Sequence, residues 1–280
     1  MIPARRLGAV VALVSGGIAL WALPARPSVR PPVLRVCSDP NNLPFSNRAE
    51  EGFENRLARL IAGELGAEVR YTWWAQRRGF VRNTLGAGEC DLVAGVPAGF
   101  DPVATTVPYY RSTYVFVTRR DLTPPLASID DPRLRRLRIG VHLIGDDYAA
   151  PPPATALARR GIVRNLRGYS IYGDYRDPNP PARLVEAVAK GEVDVALVWG
   201  PLGGYFAGRQ EVPLRVTPMR ETDDGPGTPF VFAIAMGVRR GDTELVRRVG
   251  AALDRRRAEV RRILEEYGVP LVPAGSGEAT

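Results

Sequence analysis

The residues best placed to do chemistry are few, and their pattern is not that of a catalyst. A single histidine, His142, stands in the whole chain, so the paired histidines of an H-E-x-x-H zinc site cannot form. Neither a G-x-S-x-G nucleophile turn nor a G-x-x-x-x-G-K-[ST] phosphate loop occurs. A lone histidine at a strand end is more often structural or solvent-facing than a general base. Paired aspartates appear in "GDDY" and "ETDDGPG" without the alternating spacing of a calcium loop, and a helix cap at Asp146 accounts for the first. No metal site and no enzyme is expected.

Binding chemistry is better represented. "DPNNLPFS" interrupts a strand end with Asn41, Asn42 and Phe45, "YTWWAQRRGF" brings Trp74, Arg77 and Arg78, and "GVPAGFD" brings Pro97. All three stretches follow apolar strands, and open α/β sheets hold ligands at the carboxyl ends of their strands. Later in the chain "VHLIGDDY" offers His142 and Asp146, "GYSIYGDYRDPNPP" offers Tyr172, Asp174 and Tyr175, and "VWGPLGGYF" offers Trp199. Facing loops of this composition predict a cleft between two lobes. Alternation along a strand lets only one of Trp73 and Trp74 point to a given face, so one is assigned to the core and the other to the lip.

The elements that position these loops alternate strand and helix. Val33 to Cys37 reads as a strand, and "FENRLARLIAGEL" puts Phe53, Leu57, Leu60, Ile61 and Leu65 on one helical face. Val69 to Trp74 and "CDLVAGV" are further strands, with a short helix from Gly79 to Leu85 between them. A second set runs through "LRIGV", "ATALARRG", "PPARLVEAVAKG" and "VDVALVWG". The order helix, Gly-x-x-Asp, apolar strand occurs in both sets, at "LGAGECDLVAG" and "VAKGEVDVALVWG". "STYVFVTRRD" and "GTPFVFAIAMGV" are extended segments between the sets, and one long helix from Thr243 to Tyr267 closes the chain. The expectation is an α/β protein of two lobes, each with its own sheet and core, joined by crossings near 114–121 and 217–231. The boundaries are 33–118 with 226–280 for lobe 1 and 119–225 for lobe 2.

With 280 residues, 45% hydrophobic and 24% charged, the chain is long enough for two such cores. Residues 1–25 pair Arg5 and Arg6 with an apolar run and a small-residue end at Ala22 to Ala25, which reads as a secretory signal peptide. No other run is long and charge-free enough to cross a bilayer. The exported chain is therefore expected in the periplasm without stable membrane insertion. Its arginine-rich last helix interleaves glutamate and reads as a solvated face, not as a nucleic-acid surface. Cys37 and Cys90 are the only cysteines. An oxidising compartment permits a bridge closing a 53-residue loop, worth about 4 kcal/mol, and two buried thiols are the alternative.

The two-lobed order resembles the periplasmic solute-binding proteins of amino-acid importers. Those proteins clamp the ligand carboxylate with an arginine in a Thr-x-x-Arg pattern after the third strand, and "DLVAGVPAGFDPVATTVPYY" contains no arginine. "RVCSDPNNLPFSN", "GFENRLA", "YTWWAQRRGFVRNTL", "CDLVAGVPAGFD", "PYYRSTYVFV", "GDYRDPNPPARL" and "VDVALVWGPLGGYFA" resemble the quinoprotein-dehydrogenase-associated, MxaJ/XoxJ-like subgroup of family 3. That resemblance spans about residue 33 to residue 270 and implies the type II periplasmic binding protein fold. It also implies a periplasmic accessory partner of a methanol or alcohol dehydrogenase that uses pyrroloquinoline quinone (PQQ), aiding assembly or activation. No prosthetic group is expected, and PQQ is a candidate for the cleft. The competing expectation is the substrate-binding component of an ABC importer for a small solute other than an amino acid.

Overall fold

The computed structural model describes residues 31–143, 150–171, 177–219 and 229–273. β1 (Val33–Ser38) leads into a hairpin of β2 (Asn41–Asn42) and β3 (Ser46–Asn47). After it come α1 (Phe53–Glu64), β4 (Glu68–Trp73), α2 (Phe80–Asn83), β5 (Leu92–Pro97) and β6 (Ala104–Thr105). In α1 the stripe Phe53, Leu57 and Ile61 is fully buried, and Gly66, at φ +67°, turns the chain out of the helix. β7 (Tyr110–Arg119) carries the chain into a second half made of β8 (Ile139–Leu143), α3 (Pro152–Arg159), β9 (Leu166–Ser170), α4 (Arg183–Ala189), β10 (Val195–Trp199), α5 (Gly200–Ala207) and β11 (Leu214–Pro218). β12 (Val231–Val238) returns to the first half, where α6 (Thr243–Arg255) and α7 (Arg257–Glu266) pack against α1.

The strands of the two halves meet on one shared strand: β4-β1-β5-β12 on one side and β10-β8-β9 on the other both join at β7, giving the path β4-β1-β5-β12-β7-β10-β8-β9, with β6 beside β12 and β11 beside β7. Tyr110 to Thr113 pair with β12, whereas Tyr114 to Thr118 pair with β10, so the first crossing falls between Thr113 and Tyr114. The second lies between Pro218 and Val231, with residues 220–228 outside the described set. Each half nevertheless keeps its own apolar clusters. Along β7, Val115 and Val117 face one cluster of the second half while Tyr114 and Phe116 face the other; Ala196 with Val198 and Val195 with Leu197 repeat the alternation on β10. In the first half Leu34 and Val36 join α1 and α6, and Cys37 turns to the opposite face with Phe80, Leu85 and Val93. There Cys37 is disulfide-bonded to Cys90, with Cα atoms 5.6 Å apart.

The repeated Gly-x-x-Asp has a structural counterpart. Asp91 accepts the backbone N–H of Arg35 at 3.1 Å and its guanidinium at 3.0 and 2.6 Å. Asp194 does the same for Arg138, at 2.7, 3.1 and 2.5 Å. Both carboxylates tie the start of their own strand to the first residues of the neighbouring parallel strand, and bidentate pairing of this kind fixes geometry as well as charge.

Two segments depart from the sequence reading. "GPLGGYFA" was expected as a loop and is the helix α5, with Pro201 in its first turn. Its glycines serve close approach: a Cβ on Gly200 would lie 2.4 Å from the Thr113 carbonyl oxygen, and one on Gly204 1.9 Å from that of Gly268. The closing helix breaks at Arg256 into α6 and α7. Consecutive residues of an unbroken helix diverge by about 100°, and the break lets Arg255 and Arg256 both reach Glu64, at 2.8 and 2.7 Å.

Candidate functional site

A cavity of about 350 Å³ opens where the two halves meet around β7. Its first wall is built by the loop after β1. Asp39 accepts the backbone N–H of Asn41 at 2.8 Å through one oxygen and that of Gln76 at 2.7 Å through the other. The Ser46 hydroxyl donates to the Asp39 carbonyl at 2.8 Å, and the Phe45 N–H to the Asn42 carbonyl at 2.9 Å. This compact turn presents Asn42 and Phe45 to the cavity. Helix α1 starts directly on it, with Phe53 N–H on the Pro44 carbonyl and Glu54 N–H on the Phe45 carbonyl at 2.8 and 2.9 Å. Only glycine permits that approach at residue 52, where a Cβ would stand 1.9 Å from the Phe45 oxygen. The consequence is that Glu54 enters the cavity wall beside Phe45.

Gly95 on β5 makes the room for it, since a Cβ there would lie 2.3 Å from a Glu54 carboxyl oxygen. The second wall is aromatic. Tyr114, Trp199 and Phe232, from β7, β10 and β12, contact one another edge to face with centroids 5.4 to 6.3 Å apart. Tyr110, Leu202, Ile234, His142, Pro151 and Ile171 complete the lining.

The electrostatics follow from burial. Glu54 is only 8% exposed, and among the described residues no hydrogen bond or ion pair reaches its carboxyl. Burial, with a smaller contribution from the charge of Asp39, pushes its pKa up to about 8. Burial lowers the His142 imidazole to about 4 despite its bond to the Pro181 carbonyl, to which Nε2–H donates at 3.2 Å. Burial also holds the Tyr110 hydroxyl well above its usual range. Asn42 donates its Nδ2 to the Gln76 side chain at 3.1 Å, and its buried Oδ1 has no donor. Among the described residues neither arginine nor lysine lines the cavity.

Of the residues singled out in the sequence, Asn42, Phe45, Pro97, His142 and Trp199 line this cavity. His142 is buried there, not solvent-facing. Asn41 lies apart: its Nδ2 donates to the Asp177 carbonyl at 2.8 Å and its Oδ1 accepts from Asn179 N–H at 3.2 Å, fastening the first half to the second. Trp74, 45% exposed, borders with Asn41 and Trp73 a separate surface depression, and Arg77 and Arg78 are exposed beyond it. Neither tryptophan belongs to the core, because Trp73 is half-buried on an edge strand, stacked on Tyr71 at 4.7 Å with the Arg48 guanidinium 5.9 Å from its ring. Asp146, Tyr172, Asp174, Tyr175 and residues 1–25 lie outside the described residues. The sequence reading missed Glu54, Gln76, Tyr110, Tyr114 and Phe232; adjacency of Gly52-Phe53-Glu54 to the polar loop was the available signal for the first. No group of three or more histidine, cysteine, aspartate or glutamate side chains suited to a metal ion occurs among the described residues, and no described helix is long and apolar enough to cross a membrane.

Residues 34–270 match the bacterial extracellular solute-binding proteins, family 3. Protein MoxJ of Methylorubrum extorquens is 33% identical over 255 residues, covering 87% of this chain and 83% of the relative. The crystal structure of periplasmic binding protein XoxJ from Methylobacterium extorquens AM1 is similar with a TM-score of 0.71 at 36% identity, over 86% of this chain and 100% of that one. MxaJ from Methlophaga aminisulfidivorans aligns with a TM-score of 0.72 at 27% identity, over 85% and 100% of the two chains.

Proposed function

The chain belongs to the bacterial extracellular solute-binding proteins, family 3, with the type II fold and a MoxJ/MxaJ/XoxJ-like sequence, and from that premise we propose that it is a periplasmic accessory protein of a PQQ-dependent methanol or alcohol dehydrogenase. Its role is in assembly or activation of that enzyme, and it acts as a binding protein without catalysis of its own. The observation that carries this reading is likeness over almost the whole chain to MoxJ and XoxJ. An importer for amino acids needs a cation for the ligand carboxylate, and the described residues that line this cavity include none.

The partner surface proposed is the rim that carries Trp74, Arg77 and Arg78, all exposed. Large aromatic and guanidinium groups concentrate binding energy because they bury much area at low entropic cost. Affinity capture from the periplasm of methanol-grown cells tests the proposal. Wild-type bait is expected to retain the dehydrogenase, and the joint replacement of Arg77 and Arg78 by alanine to weaken capture with the melting temperature nearly unchanged. A deletion strain that keeps full alcohol oxidation and loses uptake of one solute would establish the importer reading instead.

A further inference from the structure

The cavity is one-sided in its hydrogen bonding. Its polar wall offers the Glu54 carboxyl, buried and without a donor among the described residues. The neighbouring polar groups are already committed: Asp39 takes two backbone N–H groups, Gln76 Oε1 takes Asn42, and His142 gives its one N–H to Pro181. An unmet buried carboxyl is what a ligand rich in donors satisfies, whereas an anion would meet that carboxyl with no cation among the described lining residues. The remaining surface includes the rings of Phe45, Tyr110, Tyr114, Trp199 and Phe232 beside aliphatic groups. A ring face attracts a positive charge through its quadrupole, and ring edges and aliphatic groups cover an apolar stem.

We infer that the cavity takes a small organic ammonium ion, its N–H groups on the Glu54 carboxylate and its apolar body against the rings of Phe45, Trp199 and Phe232. The inference rests on the cavity being a binding site, as the accessory reading holds, but not on which enzyme is served. It also has a chemical consequence. With the cavity empty, burial keeps Glu54 protonated near neutral pH; when the ammonium enters, the carboxyl ionises and its proton passes to the buffer. The other groups facing Glu54 do not take up that proton: Tyr71, Tyr109 and Tyr110 are neutral and acceptor-poor, His142 is held neutral by burial, and Asp39 is occupied by backbone donors.

Calorimetry on the purified exported chain tests this with benzylammonium, benzyl alcohol, benzoate, phenylalanine and PQQ as probes. Benzylammonium is expected to bind at least about ten-fold tighter than each of the others, the scale of one charge-assisted contact. At about pH 7 its binding heat should differ between phosphate and HEPES by the ionisation heat of close to one proton. Glu54→Gln should abolish that difference and weaken benzylammonium by about ten-fold or more. The proton release is read on the wild-type chain, so the test stands even if the variant fails to fold. Benzoate or PQQ binding as tightly as benzylammonium, buffer-independent heats, or no benzylammonium binding at millimolar concentration would each overturn the inference. Dehydrogenase capture that persists in that event leaves the accessory role standing, and ammonium binding without capture removes that role alone.

Discussion

Replacing Glu54 by glutamine should make the empty protein more stable, and by an amount that depends on pH. The wild-type carboxyl has an ordinary value of 4.5 and a folded value of about 8. Between those values the folded chain holds a proton that the unfolded chain gives up, so stability is fully present below the lower value and falls as pH rises through the higher one. A tenfold change in acidity is worth about 1.4 kcal/mol, which over this interval sets a ceiling of about 5 kcal/mol on the loss at alkaline pH. Glutamine has the same shape and no charge to bury. Urea titrations of the two proteins at about pH 5, 6, 7, 8 and 9 should therefore show curves that nearly meet at the acid end and separate steadily, the variant more stable by several kcal/mol at pH 9. A gap that stays constant across the series would refute the reasoning, because a purely steric role for Glu54 has no proton to gain or lose. Added benzylammonium should narrow the gap by stabilising the wild type more than the variant.

Three further outcomes follow from the packing and charges. Gly204→Ala should destabilise by about 1 to 3 kcal/mol in denaturant titrations, since its Cβ would meet the Gly268 carbonyl oxygen, whereas Gly250→Ala in α6, with open space around it, should stabilise by about 1 kcal/mol. The hydrogen bonds from Arg138 hold Asp194 below the usual carboxylate range, so that clamp contributes stability above about pH 4 and loses it as the pH falls further. Asp194→Asn should flatten the acid limb of the stability profile measured by circular dichroism. Free α-amino acids, titrated one by one by calorimetry, should show no sub-micromolar binding, because among the described residues no arginine or lysine lines the cavity.

The alternation of strands and helices, the apolar face of α1 and the echo of Gly-x-x-Asp in the two halves were legible in the sequence because each is a short-range pattern with one dominant period. The shared strand was not, since nothing in "YYRSTYVFVTRR" marks where pairing passes from one neighbour to the other. Tyr110, Tyr114 and Phe232 lie in extended segments that carry no binding signal in the sequence, yet they line the cavity because β7 and β12 join the halves there. Glu54 was hidden for a different reason. An acidic residue in the first turn of a helix is ordinarily a solvated partner of the helix dipole; only the distant Gly95 and the turn ending at Phe45 place it out of water. "GPLGGYFA" misled through its glycines, whose meaning as close-packing positions depends on Thr113 and Gly268.

Trp199 packs against three of the four apolar clusters, two in the second half and one in the first, and its indole also lines the cavity. The chain has four tryptophans; Trp21 belongs to the segment expected to be removed on export, and Trp73 and Trp74 lie toward solvent at the lip. The protein thus carries a built-in optical reporter. Trp199 should emit toward the blue and resist aqueous quenchers, the lip pair toward the red and yield to them, so that selective quenching isolates one indole. A guest entering beside that indole would change its emission without any attached dye, and the same signal would record any shift of the two halves against each other.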